Sequence, residues 1–323
     1  MATIQSALAV VGLAKQTAFG SPAANPAFLH GLLDGQVANI EIEQEPEERT
    51  LDDQLVAPEV NRTGIMSGID YKMRAHPKSV GLYLLGALGG VATSGVGPFT
   101  HVFTPALSVP YLTQFGKYGG NLYRLPDAKL DELEFAWEGN QPLDVNVKGI
   151  GAGLDFPGSM TATVDDQRAT KFQPGGGTFQ LDVASATPAA ARIKSGNIKI
   201  SNSLEAVMLS GTITPADVAE GRKVLTCGFT LVPQNFDEWR KIVTGTAAGA
   251  AATPNPIYGS INVAFVDGTN TLTFNALRVP FTSNFPSINA SGGGAEFELE
   301  GQIVLPATGA PLTVTLVNGQ ASY

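Results

Sequence analysis

Apolar and polar residues alternate along much of this chain in short runs, and the runs end in glycine, proline, asparagine or aspartate. Alternation with period two puts successive side chains on opposite faces of a strand. The runs Gly35-Gln-Val-Ala-Asn-Ile-Glu-Ile-Glu43 and Gly196-Asn-Ile-Lys-Ile-Ser201 therefore each predict a half-buried strand. A second alternating run follows each at nearly the same distance: Ile69-Asp-Tyr-Lys-Met73 after Gly68, and Phe229-Thr-Leu231 after Gly228. Each then enters a short helical pattern with apolar residues three and four apart, closed by a glycine in the manner of a C-cap. These patterns are Pro77 to Gly86 and Asn235 to Gly245.

The parallel continues through a loop of small residues in both halves, Ala87 to Gly97 and Thr246 to Pro256. It ends in Leu143-Asp-Val-Asn-Val-Lys-Gly149 and Ala295-Glu-Phe-Glu-Leu-Glu-Gly301. Ordered matches of this kind predict an internal duplication. The expected fold is mainly β: two tandem β-sandwich or barrel domains, each with one short helix. Residues 1–32 read as an N-terminal arm, 33–151 as the first domain, 152–192 as an extended connector and 193–323 as the second domain with a C-terminal strand. The connector assignment rests on Pro157-Gly158, Pro174-Gly-Gly-Gly177 and Pro188-Ala-Ala-Ala191.

Composition narrows the class. The 323 residues contain 37 glycines and 21 prolines, and only 15% are charged, which leaves few windows long enough for a helical bundle. A hydrophobic fraction of 43% is too high for a disordered chain. The net charge of −9 opposes binding to nucleic acid or anionic lipid. The apolar run Val80 to Ala92 is too short to span a bilayer, and the N-terminus lacks the basic start of a signal peptide. The single cysteine, Cys227, reads as a small buried hydrophobe.

Chemistry is looked for without result. His30, His76 and His101 are scattered and read as surface or turn residues, with no HExxH or cysteine pair to suggest a metal. The run Gly149-Ile-Gly-Ala-Gly153 follows a strand but precedes no helix, so it reads as a strand-ending turn and not a phosphate loop. The acids from Glu41 to Asp53 lack a calcium-loop pattern and read as a solvated strand face. Trp137 and Trp239 fall in strand and helix patterns and read as core. No residue is assigned a catalytic, cofactor-binding or metal-binding role, and no enzymatic activity is expected.

The segment Gly12-Leu-Ala-Lys-Gln-Thr-Ala-Phe-Gly-Ser-Pro-Ala23 resembles the opening of tail tube (major tail) proteins of long-tailed bacteriophages. Pro77 to Gly89 resembles that family's glycine- and leucine-rich helix, and Thr100-His-Val-Phe-Thr104 one of its strands. The resemblance resumes from Ser195 to Gly301, including Phe236-Asp-Glu-Trp239. It implies a structural virion protein, made in the host cytoplasm, that polymerises as stacked rings into a tail tube through which DNA is ejected. The partners implied are further copies of itself, tape measure protein and genomic DNA in the lumen, and tail terminator and distal tail proteins at the ends. A distal tail or baseplate hub protein is the near alternative, and a two-domain carbohydrate-binding module the alternative of another class. Two tandem units favour trimeric, pseudo-hexameric rings over hexamers. With Ile40 and Ile42 packed into the sandwich, Glu41, Glu43 and Glu45 would face the lumen, with Asn197, Lys199 and Ser201 in the matching position of the second unit.

Overall fold

The computed structural model describes residues 9–46, 59–161, 170–285 and 295–323. Its strands in the first half are β1 (Val10–Lys15), β2 (His30–Gly31), β3 (Asp34–Pro46), β4 (Val60–Arg74), β5 (Gly89–Ser94), β6 (Phe99–Pro105), β7 (Leu112–Tyr118), β8 (Asn121–Glu138) and β9 (Asp144–Gly151). The second half holds β10 (Gln173–Asp182), β11 (Ala189–Ala190), β12 (Ile193–Ser201), β13 (Glu205–Val207), β14 (Asp217–Ala219), β15 (Val224–Leu231), β16 (Gly259–Asp267), β17 (Asn270–Val279), β18 (Phe281–Thr282), β19 (Phe297–Gln302) and β20 (Thr313–Asn318). The helices are α1 (Val80–Leu88) and α2 (Asp237–Thr244).

These strands build a sandwich of two antiparallel sheets. One runs β3-β4-β9-β8-β12-β15-β19-β18, and β7, β1 and β2 continue it from the first half of β8. The other runs β11-β10-β16-β17-β20-β6-β5, while β13 and β14 form a separate hairpin. The long strand β8 ties the molecule together. Its first half pairs with β7, and its second half lies between β9 and β12, with Glu132 beside both Lys148 and Ser201. Alternation then sends Leu133, Phe135 and Trp137 inward, where Phe135 meets Phe274 at 4.9 Å and Trp137 meets Phe265 at 5.0 Å between ring centroids. One continuous hydrophobic core, from Val11 to Leu316, fills the space between the sheets.

The same succession of pairings occurs in both halves. In the first, β1 pairs with β2 and β7, β7 turns into β8, β4 lies between β3 and β9, and α1 follows β4. In the second, β10 pairs with β11 and β16, β16 turns into β17, β15 lies between β12 and β19, and α2 follows β15. Register refines the match. Tyr71 sits between Gly35 and Val147 as Phe229 sits between Gly196 and Leu299, and Gly149 opposes Ile69 as Gly301 opposes Cys227. Gly68 and Gly228 thus do not correspond, because Asp70 takes the place of Gly228. Gly35 has φ 105, and a Cβ there would lie 2.5 Å from the Asp70 carbonyl oxygen, so that strand crossing requires glycine.

Several expectations are corrected. Val10–Lys15 is a strand with Val11 and Leu13 buried, and Gln173–Asp182 is a strand in the second sheet. Parts of the expected arm and connector are thus strands, because each hydrogen-bonds to a hairpin strand far along the chain. Gly89 closes α1, with φ 88 and its N–H donated to Leu85 O, whereas Gly86 lies inside the helix against Leu112 and Leu130. Gly89–Ser94 is strand β5 where a loop was expected, since backbone pairing with β6 needs no large side chains. Cys227 is buried as anticipated. Trp137 is core, but Trp239 is only half-buried, because α2 has no buried residue.

All three histidines are buried, each through a polar partner that makes burial tolerable. His76 Nδ1 meets Thr170 O at 2.6 Å, and His101 lies between Thr93 Oγ1 and Gln320 O, both at 2.8 Å. His30 Nε2 is 2.7 Å from Tyr83 Oη, which is 2.8 Å from Tyr71 Oη. Burial pushes the His30 acid constant from 6.5 to about 4; its contact with Gly31 O pulls the other way, and nearby His76 adds a small downward push. The folded state therefore excludes a proton that the unfolded chain accepts. Stability from this site is complete above pH 6.5 and falls as pH drops towards 4, by at most about 3 kcal/mol. Thermal melts of wild type and His30→Phe between pH 7 and 4 are expected to converge as pH falls, and a constant gap would contradict this account.

Candidate assembly surface

The core takes one face of the long sheet and leaves the other polar. Asp70, Lys148, Glu132 and Ser201 form one row across β4, β9, β8 and β12, and Lys72, Asn146, Glu134, Lys199 and Thr226 form the next. Several charges in the middle of this face are paired. Glu132 lies 2.7 Å from Lys199 and 3.6 Å from Lys148, and Asp144 holds Lys72 at 2.8 Å together with Arg74. Asn197 and Asn146 donate to the two carboxylate oxygens of Glu134 at 2.7 and 2.9 Å. Partial burial disfavours the Glu134 charge, but these bonds and the nearby Lys199 and Lys148 outweigh it and hold its acid constant below the usual carboxylate value.

Asn197, Lys199 and Ser201 thus share one polar face. Glu41 and Glu43 lie opposite Met66 and Gly64 on β4, so by alternation they continue the side that carries Asp70 and Lys72. Glu45 lies beyond an irregularity in the same hairpin, opposite Asn61. Among the described residues, no ion pair holds Glu41, Glu43, Glu45, Glu298 or Glu300. Five of the acids without an ion pair thus lie towards the ends of the sheet, on β3 and β19. Asp165 and Asp166, and the acids from Glu47 to Asp53, lie outside the described residues.

Ile40 and Ile42 do not enter the sandwich of their own chain. They are 36% and 50% exposed, because β4 pairs with β9 only from Ser67 to Arg74 and the rest of the β3–β4 hairpin projects past the sheet. A hydrogen bond from Ile65 N–H to Ile213 O, 2.6 Å, braces the hairpin from one side. Among the described residues, β3 and β18 each pair on one side only, as does β2 beyond β1. The sequence did not single out Glu132, Glu134 or Lys148, although the alternation Glu132-Leu-Glu-Phe-Ala-Trp-Glu138 carries the signal.

What the arrangement offers is a polar sheet face with open edges at β3 and β18. Among the described residues, no three histidine, cysteine, aspartate or glutamate side chains converge as a metal site would need. Nor, among the described residues, is any helix long and apolar enough to cross a membrane. The model of the phage tail tube protein family matches residues 6–316. The chain belongs to that family. No curated protein matches it. Membership makes it a structural tail protein of a bacteriophage virion that assembles into a tube with its own kind and joins other tail components.

Within this tail tube chain, the central charges contribute to stability unequally. Lys199→Ala is expected to cost less than about 1 kcal/mol in urea unfolding, because Lys199 is partly exposed and Glu132 keeps Lys148. Glu134→Ala is expected to cost about 1–3 kcal/mol, since both asparagine amides lose their acceptor. Equal costs would contradict this reading of the polar face.

Proposed function

We propose that the chain closes head to tail into rings of three copies, and that stacked rings form the conduit for DNA during ejection. The observation that carries this reading is the pair of open edges, β3 and β18, at opposite ends of one sheet whose two halves are already joined by the same kind of pairing at β8 and β12. A heterologous contact between unlike edges, repeated, either closes into a ring or runs on as a filament. On this reading the chain is two copies of one unit, beginning at β1 and at β10. Three chains then supply six units, the pseudo-hexamer, in preference to six chains.

The polar face lines the lumen, and Glu41, Glu43, Glu45, Asn197, Lys199 and Ser201 belong to that lining. Tape measure protein and DNA are its occupants, and terminator and distal tail proteins cap the stack. Paired charges occupy the middle of each chain's lining, while Glu41 and Glu43 of one copy approach Glu298 and Glu300 of the next. The lumen thus carries acidic seams between copies, which repel a polyanion and keep it from sticking.

Negative-stain images and ring mass test the architecture. Three copies per ring are expected, and six would overturn the two-unit reading. Raising ionic strength from about 0.05 to about 0.5 M is expected to increase ring yield by screening the seams. Phage carrying Glu41→Lys, Glu43→Lys and Glu45→Lys together are expected to build tails but eject DNA more slowly. An unchanged ejection rate would remove these residues from the lining.

A further inference from the structure

The joint between the two halves of one chain also specifies a contact between chains. At that joint, β8 pairs with β12 from Glu138 beside Ser195 to Glu132 beside Ser201. The end of β12 lies against α1: Asn202 Nδ2 donates to Ala87 O on the helix at 3.1 Å and to Leu130 O on β8 at 2.7 Å. Ile198 and Ile200 are fully buried there, and so is every residue of α1.

Register and helix caps locate the corresponding residues. Leu225 opposes Ile200 and Ser67 opposes Ile40, two strand positions before Phe229 and Tyr71 on the same side. Ile40 therefore stands where Ile200 stands in the second half, and Ile42 where Asn202 stands. The helices end alike, with Gly89 N–H donated to Leu85 O and Gly245 N–H to Lys241 O. Val243 thus corresponds to Ala87, and Trp239 to the buried Tyr83. Yet Ile40 and Ile42 are exposed, and no residue of α2 is buried. Trp239 meets Phe285 edge-on at 4.8 Å, and Phe285 is itself 58% exposed.

Among the described residues, one chain therefore carries, at one end of its sheet, an apolar strand face with no helix over it. At the other end it carries an amphipathic helix with no strand beneath its exposed side. We infer that a second copy of this chain supplies the missing half: Ile40 and Ile42 of one copy seat against Trp239 and Val243 on α2 of the next, as β12 seats against α1 within the chain. The inference rests on the ring reading above and adds the residues that seal its joint. A strand face and a helix that each hide apolar surface only when joined favour association over the free monomer.

The test uses full-length Ile42→Cys and Val243→Cys, mixed under conditions in which wild type forms rings, and a short bismaleimide. Cys227 is buried, and burial raises its thiol to about 12, so it stays silent. A cross-linked dimer holding one of each variant is expected from the mixture, with none from either variant alone. Ring formation without that cross-link would overturn the inference while leaving the tube reading intact, and failure of wild type to form rings or tubes would overturn both. Ile42→Glu supplies an independent check. It is expected to keep the wild-type melting temperature, because the site is exposed in the single chain, and to lower ring yield at least tenfold. Wild-type yield from that variant would also overturn the inference.

Discussion

The outermost strands of an open β-sheet leave a row of backbone N–H and C=O groups without partners, and such edges invite pairing with another chain. In this protein that demand is met where the chain's own strands join and left open at β3 and β18 among the described residues. Where β8 meets β12, the halves fuse into one sheet, the helix α1 covers the joint, and Asn202 ties helix, strand and neighbouring strand together. At β3 and β18 the same sheet stops.

The internal joint also explains why the two helices differ. The helix α1 consists of apolar and small residues and is buried throughout, because β8, β6, β1, β5 and β12 surround it. The helix α2 carries Asp237, Glu238, Arg240 and Lys241 beside Trp239, Ile242 and Val243, a pattern suited to a helix covered on one side only. Lys241 bridges to Glu238 at 2.8 Å and reaches Asp182 at 3.5 Å, fastening the helix to β10 through charge where α1 is fastened through burial. Such a helix is available to a partner without being unstable in its absence.

The polar face follows from the same alternation that builds the core. Each inward Leu, Phe or Val on β8, β9, β12 and β15 forces its neighbour to the opposite face, so the chemistry of that face is fixed residue by residue once the core is fixed. Its central acids are matched by Lys72, Arg74, Lys148 and Lys199 on adjacent strands. Among the described residues, Glu41, Glu43, Glu45, Glu298 and Glu300 near the open ends have no ion pair.

By itself, the sequence determined that the chain is a β protein, because period-two alternation and glycine-bounded runs are local and survive without tertiary knowledge. It also marked both helices, the burial of Cys227 and Trp137, and the common face of Asn197, Lys199 and Ser201. Only the tertiary structure decided what depends on distant pairing. Val10–Lys15 and Gln173–Asp182 looked like arm and connector until their partners β7 and β16 were known. His30, His76 and His101 looked superficial because the oxygens that let them be buried come from remote segments. Ile40 and Ile42 looked like core because alternation reports which face a side chain takes. Whether anything covers that face depends on where the neighbouring strand ends: β9 stops at Gly151, in the row of Ser67 and Ile40, and does not reach Ile42.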